Sequence, residues 1–378
     1  MEFETCCIHG SNDKYDTTGA VSVPIFQSAT FAHPGVGVST GFDYSRQQNP
    51  TREYLEKTVA RLENGYDAIA FSSGMAAISA LMELFKPGDH LIASDDLYGG
   101  SHRLFNNISL KNGVLFSLIN TSDPAAIEAQ ITSQTKSVFI ETPTNPMMRV
   151  TDIAAVSKIC KEHGLLLIVD NTFLTPYLQK PILLGADIVV HSGTKYLGGH
   201  NDTLAGFLVL ATPALSERLR FIYKTTGACL SPFDSWLLIR GIKTLPVRMD
   251  RQQDSAGKIA RWLSTKKKIK SVYYVGLPSH PDYDISKRQA SGFGAMISFE
   301  TDCEQTALRI LENVKLIQYA ESLGGVESLI TYPMLQTHAD IPREKREANG
   351  INELLLRLSV GLESVDDLIS DLNQAIGV

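Results

Sequence analysis

The sequence has few of the features that would place a protein in a membrane, on nucleic acid or outside the cell. No uninterrupted apolar run approaches the roughly 20 residues that a membrane-spanning helix needs. The net charge is -6, which offers no basic surface to nucleic acid or to an anionic membrane. The N-terminal sequence, M-E-F-E-T-C-C-I-H-G, has neither the basic start nor the apolar segment of a secretion signal. We therefore expect a cytoplasmic protein whose partners are small molecules or other copies of itself.

Cysteine pairs and nucleotide-binding glycine motifs are also missing. The five cysteines are odd in number and include no C-x-x-C pair, which argues against a disulfide framework and a zinc site. His191, His200 and His338 are too scattered to suggest metal ligands, so we expect structural roles for them and no bound metal. Neither G-x-x-x-x-G-K-[ST] nor G-x-G-x-x-G occurs, which counts against P-loop nucleotidases and dinucleotide-binding dehydrogenases.

Apolar strands alternate with helical segments from Ala68 onward, which predicts an α/β fold with a mostly parallel sheet. The chain has 378 residues and is 43% hydrophobic, enough for two domains. Residues 1–50 are rich in Gly, Ser, Thr and Pro and show little periodicity, so they are expected to form an arm. Thr51 is expected to cap the first long helix. We predict a large domain over 51–240 and a smaller C-terminal α/β domain over 241–378.

Three polar residues follow apolar strands in the predicted large domain. Asn145 lies in the turn T-P-T-N-P, Asp170 ends the run L-L-L-I-V-D, and Lys195 follows I-V-V-H-S-G-T. The carboxyl ends of such strands form the binding crevice of an open α/β sheet, so these side chains should converge. Taken singly, Lys195 could extend to solvent and Asp170 could cap a helix.

The combination of these residues predicts a pyridoxal-phosphate site. A lysine amine can bind the cofactor covalently, and a carboxylate can keep its ring nitrogen protonated. Hydroxyls at Ser192 and Thr194 could hold the phosphate. The turn before Gly74 opens a helix, and free backbone N–H groups at a helix N-terminus bind anions.

The chain resembles the Cys/Met-metabolism family of fold-type I pyridoxal-phosphate enzymes, which includes cystathionine synthases, cystathionine lyases and methionine γ-lyase. The similar segments run from Tyr44 to Glu363: Y-S-R-x-x-N-P-T, S-S-G-M-A-A, D-D-L-Y-G-G, E-T-P-T-N-P, V-D-N-T-F, H-S-G-T-K-Y-L-G-G-H, E-S-L and R-L-S-V-G-L-E. The resemblance implies the fold-type I transferase fold and a homo-oligomer, a dimer that shares active sites and usually pairs into a tetramer.

The resemblance also implies roles for the cofactor-binding residues. Lys195 would bind pyridoxal phosphate covalently and carry protons, and Asp170 would pair with its ring nitrogen. Tyr98 would stack on the ring and assist proton transfer, while Asn145 would bond the ring oxygen. The phosphate would be held within the subunit by Gly74, Met75, Ser192 and Thr194. Two arm residues would reach the phosphate of a neighbouring subunit: Tyr44 and Arg46.

The implied substrates are sulfur amino acids. Arg357 would bind the substrate α-carboxylate, with Ser328 and Tyr44 also in the substrate site. Arg103 and Glu327 resemble residues that face the distal end of cystathionine in related enzymes. A distal amino-acid group carries both charges, so this pair favours cystathionine over a plain thioether.

Methionine γ-lyases typically carry cysteine where this chain has Gly100, which counts against them. We therefore predict γ-elimination from cystathionine. The alternatives are cystathionine γ-synthase or O-acetylhomoserine sulfhydrylase, cystathionine β-lyase, and a catalytically silent binding protein of the same fold.

Overall fold

Strands and helices alternate along most of the chain in the computed structural model, which describes residues 1–10, 18–339 and 341–377. Its strands are β1 Asp67–Phe71, β2 His90–Ser94, β3 Leu115–Ile119, β4 Thr135–Glu141, β5 Leu166–Asp170, β6 Ile188–Ser192, β7 Gly206–Leu210, β8 Ile269–Tyr273, β9 Met296–Thr301, β10 Gln318–Tyr319, β11 Leu329–Thr331 and β12 Leu355–Ser359. Its α-helices are α1 Phe3–His9, α2 Pro50–Glu63, α3 Gly74–Met82, α4 Gly99–Leu104, α5 Pro124–Ala129, α6 Ile153–His163, α7 Thr175–Leu178, α8 Pro213–Thr226, α9 Pro232–Ile242, α10 Leu245–Leu263, α11 Tyr283–Gln289, α12 Glu304–Asn313, α13 Arg343–Ala348 and α14 Val365–Ile376.

The larger sheet has seven strands in the order β1-β7-β6-β5-β4-β2-β3. The neighbours from β6 through β3 are all paired in parallel, and β7 is antiparallel to both of its neighbours. The predicted α/β fold with a mostly parallel sheet is therefore confirmed. Strands β4, β5 and β6 lie side by side, so their carboxyl ends meet at one edge.

Side chains alternate between two apolar layers on the faces of this sheet. On β4, Val138 and Ile140 belong to one buried cluster and Phe139 to the other. On β5, Val169 packs with the first layer and Ile168 with the second. Because side chains alternate with a period of two, Glu141 lies on the same face as Phe139, and Asp170 lies on the same face as Ile168. Glu141 and Asp170 therefore point to the same side of the sheet.

The second, smaller sheet has the strand order β10-β11-β12-β9-β8 and is mostly antiparallel. The sheet expected in the smaller C-terminal α/β part is therefore present. The boundary predicted at 240/241 would fall just before the end of α9, and it stays a prediction. The long helix α10 follows that helix directly and contacts β8, β9 and α14 of the C-terminal part.

The predicted arm carries helix α1 and bridges, and residues 11–17 of it lie outside the described residues. Its last residue, Pro50, already belongs to α2. The cap of α2 was wrongly expected at Thr51: the side chain of Asn49 accepts hydrogen bonds from the backbone N–H groups of Thr51 and Arg52. Proline suits the first helical position, so the capping position moves to the residue before it.

Within the described ranges, none of the helices combines the length and apolar character needed to cross a membrane. The same residues include no cluster of three or more histidine, cysteine or acidic side chains able to hold a metal ion.

Candidate active site

A cavity of about 170 Å³ lies at the carboxyl ends of the central strands. It brings together eight of the residues predicted to bind the cofactor: Gly74, Met75, Tyr98, Asn145, Asp170, Ser192, Thr194 and Lys195. The predicted convergence of Asn145, Asp170 and Lys195 therefore occurs in the structure. It follows from the topology, because β4, β5 and β6 are adjacent and parallel.

Lys195 is held on a tight turn after β6. The backbone N–H of Lys195 donates to the Ser192 carbonyl at 3.2 Å, and the Gly199 N–H donates to the Lys195 carbonyl at 2.7 Å. A Cβ atom at Gly193 would come within 2.6 Å of the Phe207 ring, so only glycine lets the turn pack this closely. The lysine is thereby directed into the cavity.

Burial and the positive charge of Arg357 together lower the pKa of Lys195 to about 8, and the charge of Glu321 opposes that fall. The Lys195 Nζ donates a hydrogen bond to Ser322 Oγ at 2.8 Å. Ser322 has a left-handed backbone, with φ of 93°, which is unusual for a residue other than glycine. An amine with this pKa is partly uncharged near neutral pH and can act as a nucleophile or base.

Asp170 faces the same cavity. Burial raises its pKa, while hydrogen bonds from Thr172 and the charge of His191 oppose that rise. The Thr172 N–H donates to Asp170 Oδ1 at 3.0 Å. These contacts support a carboxylate positioned to pair with a protonated ring nitrogen.

Asn145 lines the cavity and is hydrogen-bonded to the buried Arg357. Asn145 Oδ1 accepts from Arg357 Nη1 at 2.7 Å, which leaves the amide nitrogen of Asn145 as the donor for a ligand. Arg357 Nη2 donates to the Ser322 carbonyl at 3.0 Å, and Nε has no partner in the described residues. Burial lowers the pKa of Arg357 to about 10, so the guanidinium remains a cation at neutral pH. A buried guanidinium with a free N–H is well suited to a carboxylate ligand.

The turn before α3 forms an anion-binding site beside Ser192. Ser73 caps this helix, with its hydroxyl accepting from the Ala76 N–H at 3.0 Å. A Cβ atom at Gly74 would lie 3.1 Å from the Ser192 Cβ, closer than most side chains tolerate. The glycine therefore keeps free backbone N–H groups and the Ser192 hydroxyl close together at one helix N-terminus, an arrangement suited to a phosphate.

Tyr98 stands at the N-terminus of α4 and lines the cavity, with 40% of its surface exposed. Its backbone N–H donates to Glu141 Oε2 at 3.0 Å. Met75, from the start of α3, lines the same cavity.

Tyr44 and Arg46 lie outside the cavity of their own chain. Arg46 donates a hydrogen bond to the Lys224 carbonyl and stacks over the Tyr44 ring at 5.6 Å. Both residues are at the surface of the described chain. Their predicted contact with a neighbouring subunit's phosphate stays a prediction.

Ser328, predicted in the substrate site, does not line the cavity, and its role in substrate binding stays a prediction. It is fully buried, donates its hydroxyl to Glu363 Oε2 at 2.8 Å and accepts from the Gly361 N–H at 2.8 Å. The letters E-S-L occur twice, and it is the first copy, with Ser322, that reaches Lys195. Both partners of the Ser328 hydroxyl lie on the chain after β12, which holds the second copy in the interior.

The two residues predicted at the distal end of the substrate lie outside the small cavity. Glu327 lines a wider cleft of about 950 Å³ that shares Thr194 and Leu204 with the cavity. Its carboxylate accepts from Asn201 Nδ2 at 2.7 Å. Arg103 is exposed on α4. Their roles in substrate binding stay predictions.

Two residues of the site, Ser322 and Glu141, were not predicted from the sequence. Glu141 lines the cavity and is 6% exposed. Its burial and the charge of Asp170 raise the pKa of Glu141 well above the ordinary value. The alternation along β4 was the available signal, since it places Glu141 on the face that Phe139 shares.

The residues present suit pyridoxal phosphate. The cavity supplies an amine of lowered pKa at Lys195 and a buried carboxylate at Asp170. Gly74 and Ser192 meet at the helix N-terminus where a phosphate would bind. This donor set offers a separate partner to the aldehyde, the ring nitrogen and the phosphate of the cofactor.

Comparison with known proteins gives the same result. Residues 4–377 match the family model described as Cys/Met metabolism PLP-dependent enzyme. The chain is 48% identical to a cystathionine gamma-lyase of Bacillus subtilis, over 100% of this chain and 99% of that protein. It is also 51% identical to a cystathionine gamma-synthase/O-acetylhomoserine (thiol)-lyase of B. subtilis, covering 99% and 96%.

A third relative, a cystathionine beta-lyase of Lactococcus lactis, is 48% identical over 99% of this chain and 98% of that protein. Among solved structures, cystathionine gamma-lyase from Lactobacillus plantarum complexed with L-serine superposes with a TM-score of 0.96 at 47% identity, covering 99% and 98% of the chains. The chain belongs to the Cys/Met-metabolism family of pyridoxal-phosphate-dependent enzymes.

Proposed function

We propose that this enzyme cleaves cystathionine by γ-elimination, consuming water and yielding cysteine, 2-oxobutanoate and ammonia. The observation that carries the proposal is a small cavity around Lys195 that adjoins a wide acidic cleft. Cystathionine has an amino acid group at each end, so it needs a reaction site and a second polar site beyond it.

Arg357 is proposed to bind the α-carboxylate at the reacting end. Its contacts with Asn145 and the Ser322 carbonyl fix the guanidinium plane, and its Nε is free to donate. A planar arginine recognises a carboxylate through paired hydrogen bonds. This contact would place the substrate Cα close to Lys195.

The wide cleft is proposed to bind the distal amino acid group. In the described residues, its charged lining is entirely acidic: Asp202, Asp234, Glu321 and Glu327. Carboxylates of this kind favour the distal ammonium group. Arg103 is the predicted partner of the distal carboxylate.

When bound, pyridoxal phosphate supplies the electron sink that allows bonds next to the substrate amine to break. Asp170 would pair with the protonated ring nitrogen, and Tyr98 would stack on the ring. The Lys195 Nζ removes the Cα proton, and the Ser322 hydroxyl orients that nitrogen. Lys195 and Tyr98 then transfer protons as a Cβ proton leaves and the Cγ–S bond breaks, and a proton returns to the departing sulfur.

Tyr44 and Arg46 are proposed to complete the site of a second subunit, so that the working unit is at least a dimer. The support is their position outside their own cavity, together with the surface exposure of the arm. Mixing the inactive variants Arg46→Ala and Lys195→Ala tests this. If sites are shared, mixed dimers regain one intact site and part of the activity; if sites are not shared, the mixture stays inactive.

Synthesis of cystathionine and β-elimination from cystathionine are the alternative reactions, because similar proteins are named for them. The 51% identical relative is named for γ-synthase and O-acetylhomoserine (thiol)-lyase activity, and a 48% identical one for β-lyase activity. Methionine γ-lyase is disfavoured by Gly100, where a Cβ would come within 2.5 Å of the Tyr98 ring and 3.0 Å of Met75 Sδ. The cysteine typical of those enzymes lacks room beside Tyr98 in this arrangement.

Product analysis tests the proposal directly. Cystathionine should yield cysteine and 2-oxobutanoate in equal amounts, whereas homocysteine and pyruvate would identify a β-lyase. The enzyme should form cystathionine from an O-acylated homoserine and cysteine more slowly than it cleaves cystathionine. Faster synthesis than cleavage would overturn the assignment in favour of a γ-synthase. A protein that binds the cofactor without any turnover would be a catalytically silent member of the fold.

A further inference from the structure

Two carboxylates stand side by side at the cofactor edge of the large sheet. Glu141 ends β4 and Asp170 ends β5, and the two residues are paired in register across these parallel strands. Both line the cavity. Neighbouring strands are roughly 5 Å apart, so two side chains on one face of adjacent strand ends are close neighbours.

Among the residues that the structure describes, neither carboxylate has a cationic side chain in direct contact. The ion pairs formed by residues 1–10, 18–339 and 341–377 involve other acidic side chains. The charge of Arg357 acts on Glu141, but its guanidinium is bound to Asn145 Oδ1 and the Ser322 carbonyl. Two ionised carboxylates would therefore repel each other in a region shielded from water.

The groups around the pair determine which of the two carboxyl groups is protonated. Burial and the charge of Asp170 raise the pKa of Glu141 well above its usual value; Asp96 acts in the same direction, and the Tyr98 N–H and Arg357 oppose it. Asp170 is better supported as an anion, because both the side chain and backbone of Thr172 donate to it and His191 adds positive charge.

We propose that Glu141 keeps its proton at neutral pH, so that the pair carries one negative charge and Asp170 holds it. The neutral Glu141 then positions Tyr98 at the start of α4, since Glu141 Oε2 accepts a hydrogen bond from the Tyr98 backbone N–H at 3.0 Å. The single charge on Asp170 faces the site of the cofactor's ring nitrogen. This inference holds whichever sulfur amino acid the enzyme cleaves.

A protonated acid at this position carries no charge and still accepts the hydrogen bond of the Tyr98 N–H. Leucine would remove the repulsion but would leave the Tyr98 N–H without an acceptor in a buried setting. Glutamine would keep a neutral acceptor of the same shape. Glu141→Gln should therefore mimic the natural state, whereas Glu141→Leu should disturb Tyr98.

Infrared spectroscopy of the holoenzyme tests the protonation state. At pH 7.5 the wild-type protein should show the C=O stretch of a protonated carboxyl group, and Glu141→Gln should lose that band. Asp170→Asn serves as the comparison: a band that Asp170→Asn removes and Glu141→Gln leaves in place would put the proton on Asp170 and overturn the proposal. A wild-type spectrum without a band that Glu141→Gln removes would overturn the proposal.

Cofactor titration of the apoprotein, followed by absorbance, tests the positioning role. The dissociation constant should stay within about twofold of wild type in Glu141→Gln and rise by about tenfold in Glu141→Leu, as expected for one buried donor left unpaired. Thermal unfolding of both apoproteins shows whether Glu141→Leu still folds. If Glu141→Gln weakens cofactor binding as much as Glu141→Leu does, Glu141 acts as an anion and the proposal is wrong.

Discussion

Ser322 should control the reactivity of Lys195, although Ser328 has the same sequence neighbours. The Lys195 Nζ donates to Ser322 Oγ at 2.8 Å, whereas Ser328 is buried against Glu363. A hydrogen bond to a charged group contributes about 1.5–3 kcal/mol. At 1.36 kcal/mol per factor of ten, Ser322→Ala should lower kcat by roughly 10- to 150-fold.

The same substitution should change KM much less. Arg357 bonds the backbone carbonyl of Ser322, which alanine retains. Steady-state kinetics with cystathionine would measure both quantities. Ser322→Gly is a useful companion, because glycine lacks the hydroxyl but accepts the φ of 93° without strain. Equal losses of kcat in the alanine and glycine variants would identify the hydroxyl as the cause.

Ser328→Ala is the matched control. It removes one donor to Glu363 and the acceptor for the Gly361 N–H, so it should lower the free energy of unfolding by about 1–3 kcal/mol. Its kcat should remain close to wild type in samples that are fully folded. A large loss of kcat in Ser328→Ala with little effect in Ser322→Ala would refute the reasoning.

Three further predictions concern charge. Burial, with the charge of Arg357, lowers the pKa of Lys195 to about 8. Labelling of Lys195 in the apoprotein by an aldehyde reagent, followed on its own peptide by mass spectrometry, should therefore rise with pH and level off above about pH 8. A rise on that peptide that continues through pH 10 would contradict this. Glu63→Ala breaks a buried 3.0 Å contact with His191 and should cost about 3–5 kcal/mol in urea unfolding, whereas Glu162→Ala in an exposed pair should cost under about 1 kcal/mol. Arg357→Lys should raise KM by roughly 10- to 150-fold through lost carboxylate hydrogen bonds, and an unchanged KM would exclude it as the carboxylate site.

The location of the site followed from the sequence because it depends on strand ends. Apolar runs identified β4, β5 and β6, and the polar residues after them had to meet once those strands were adjacent and parallel. The glycine-rich turns supported the same conclusion, since Gly74 and Gly193 occupy positions where a Cβ would collide with neighbouring atoms.

The choice between the two E-S-L segments could not be made from the sequence. Residues 321–323 and 327–329 carry identical letters, and only long-range contacts distinguish them. Ser322 meets a lysine 127 residues away, and Ser328 meets a carboxylate 35 residues away. Local patterns carry no information about such partners.

Glu141 was missed for a different reason. Its segment, E-T-P-T-N-P, has the proline pattern of a turn, and that pattern predicts a site residue at Asn145 and not at Glu141. The alternation along β4 gives the face on which Glu141 lies, but the residue that stands opposite Glu141 depends on the register of β4 beside β5, which the whole sheet sets. The interaction of Glu141 with Asp170 could therefore be recognised only in the folded chain.

The central claim, that Lys195 holds the cofactor, can be tested by chemical trapping. The enzyme would be incubated with pyridoxal phosphate, reduced with borohydride and digested, and the modified peptide would be located by mass spectrometry. We expect one reduced cofactor per chain, on Lys195, and no label or cofactor absorbance in Lys195→Ala. Specific labelling of a different lysine, with turnover retained in Lys195→Ala, would contradict it.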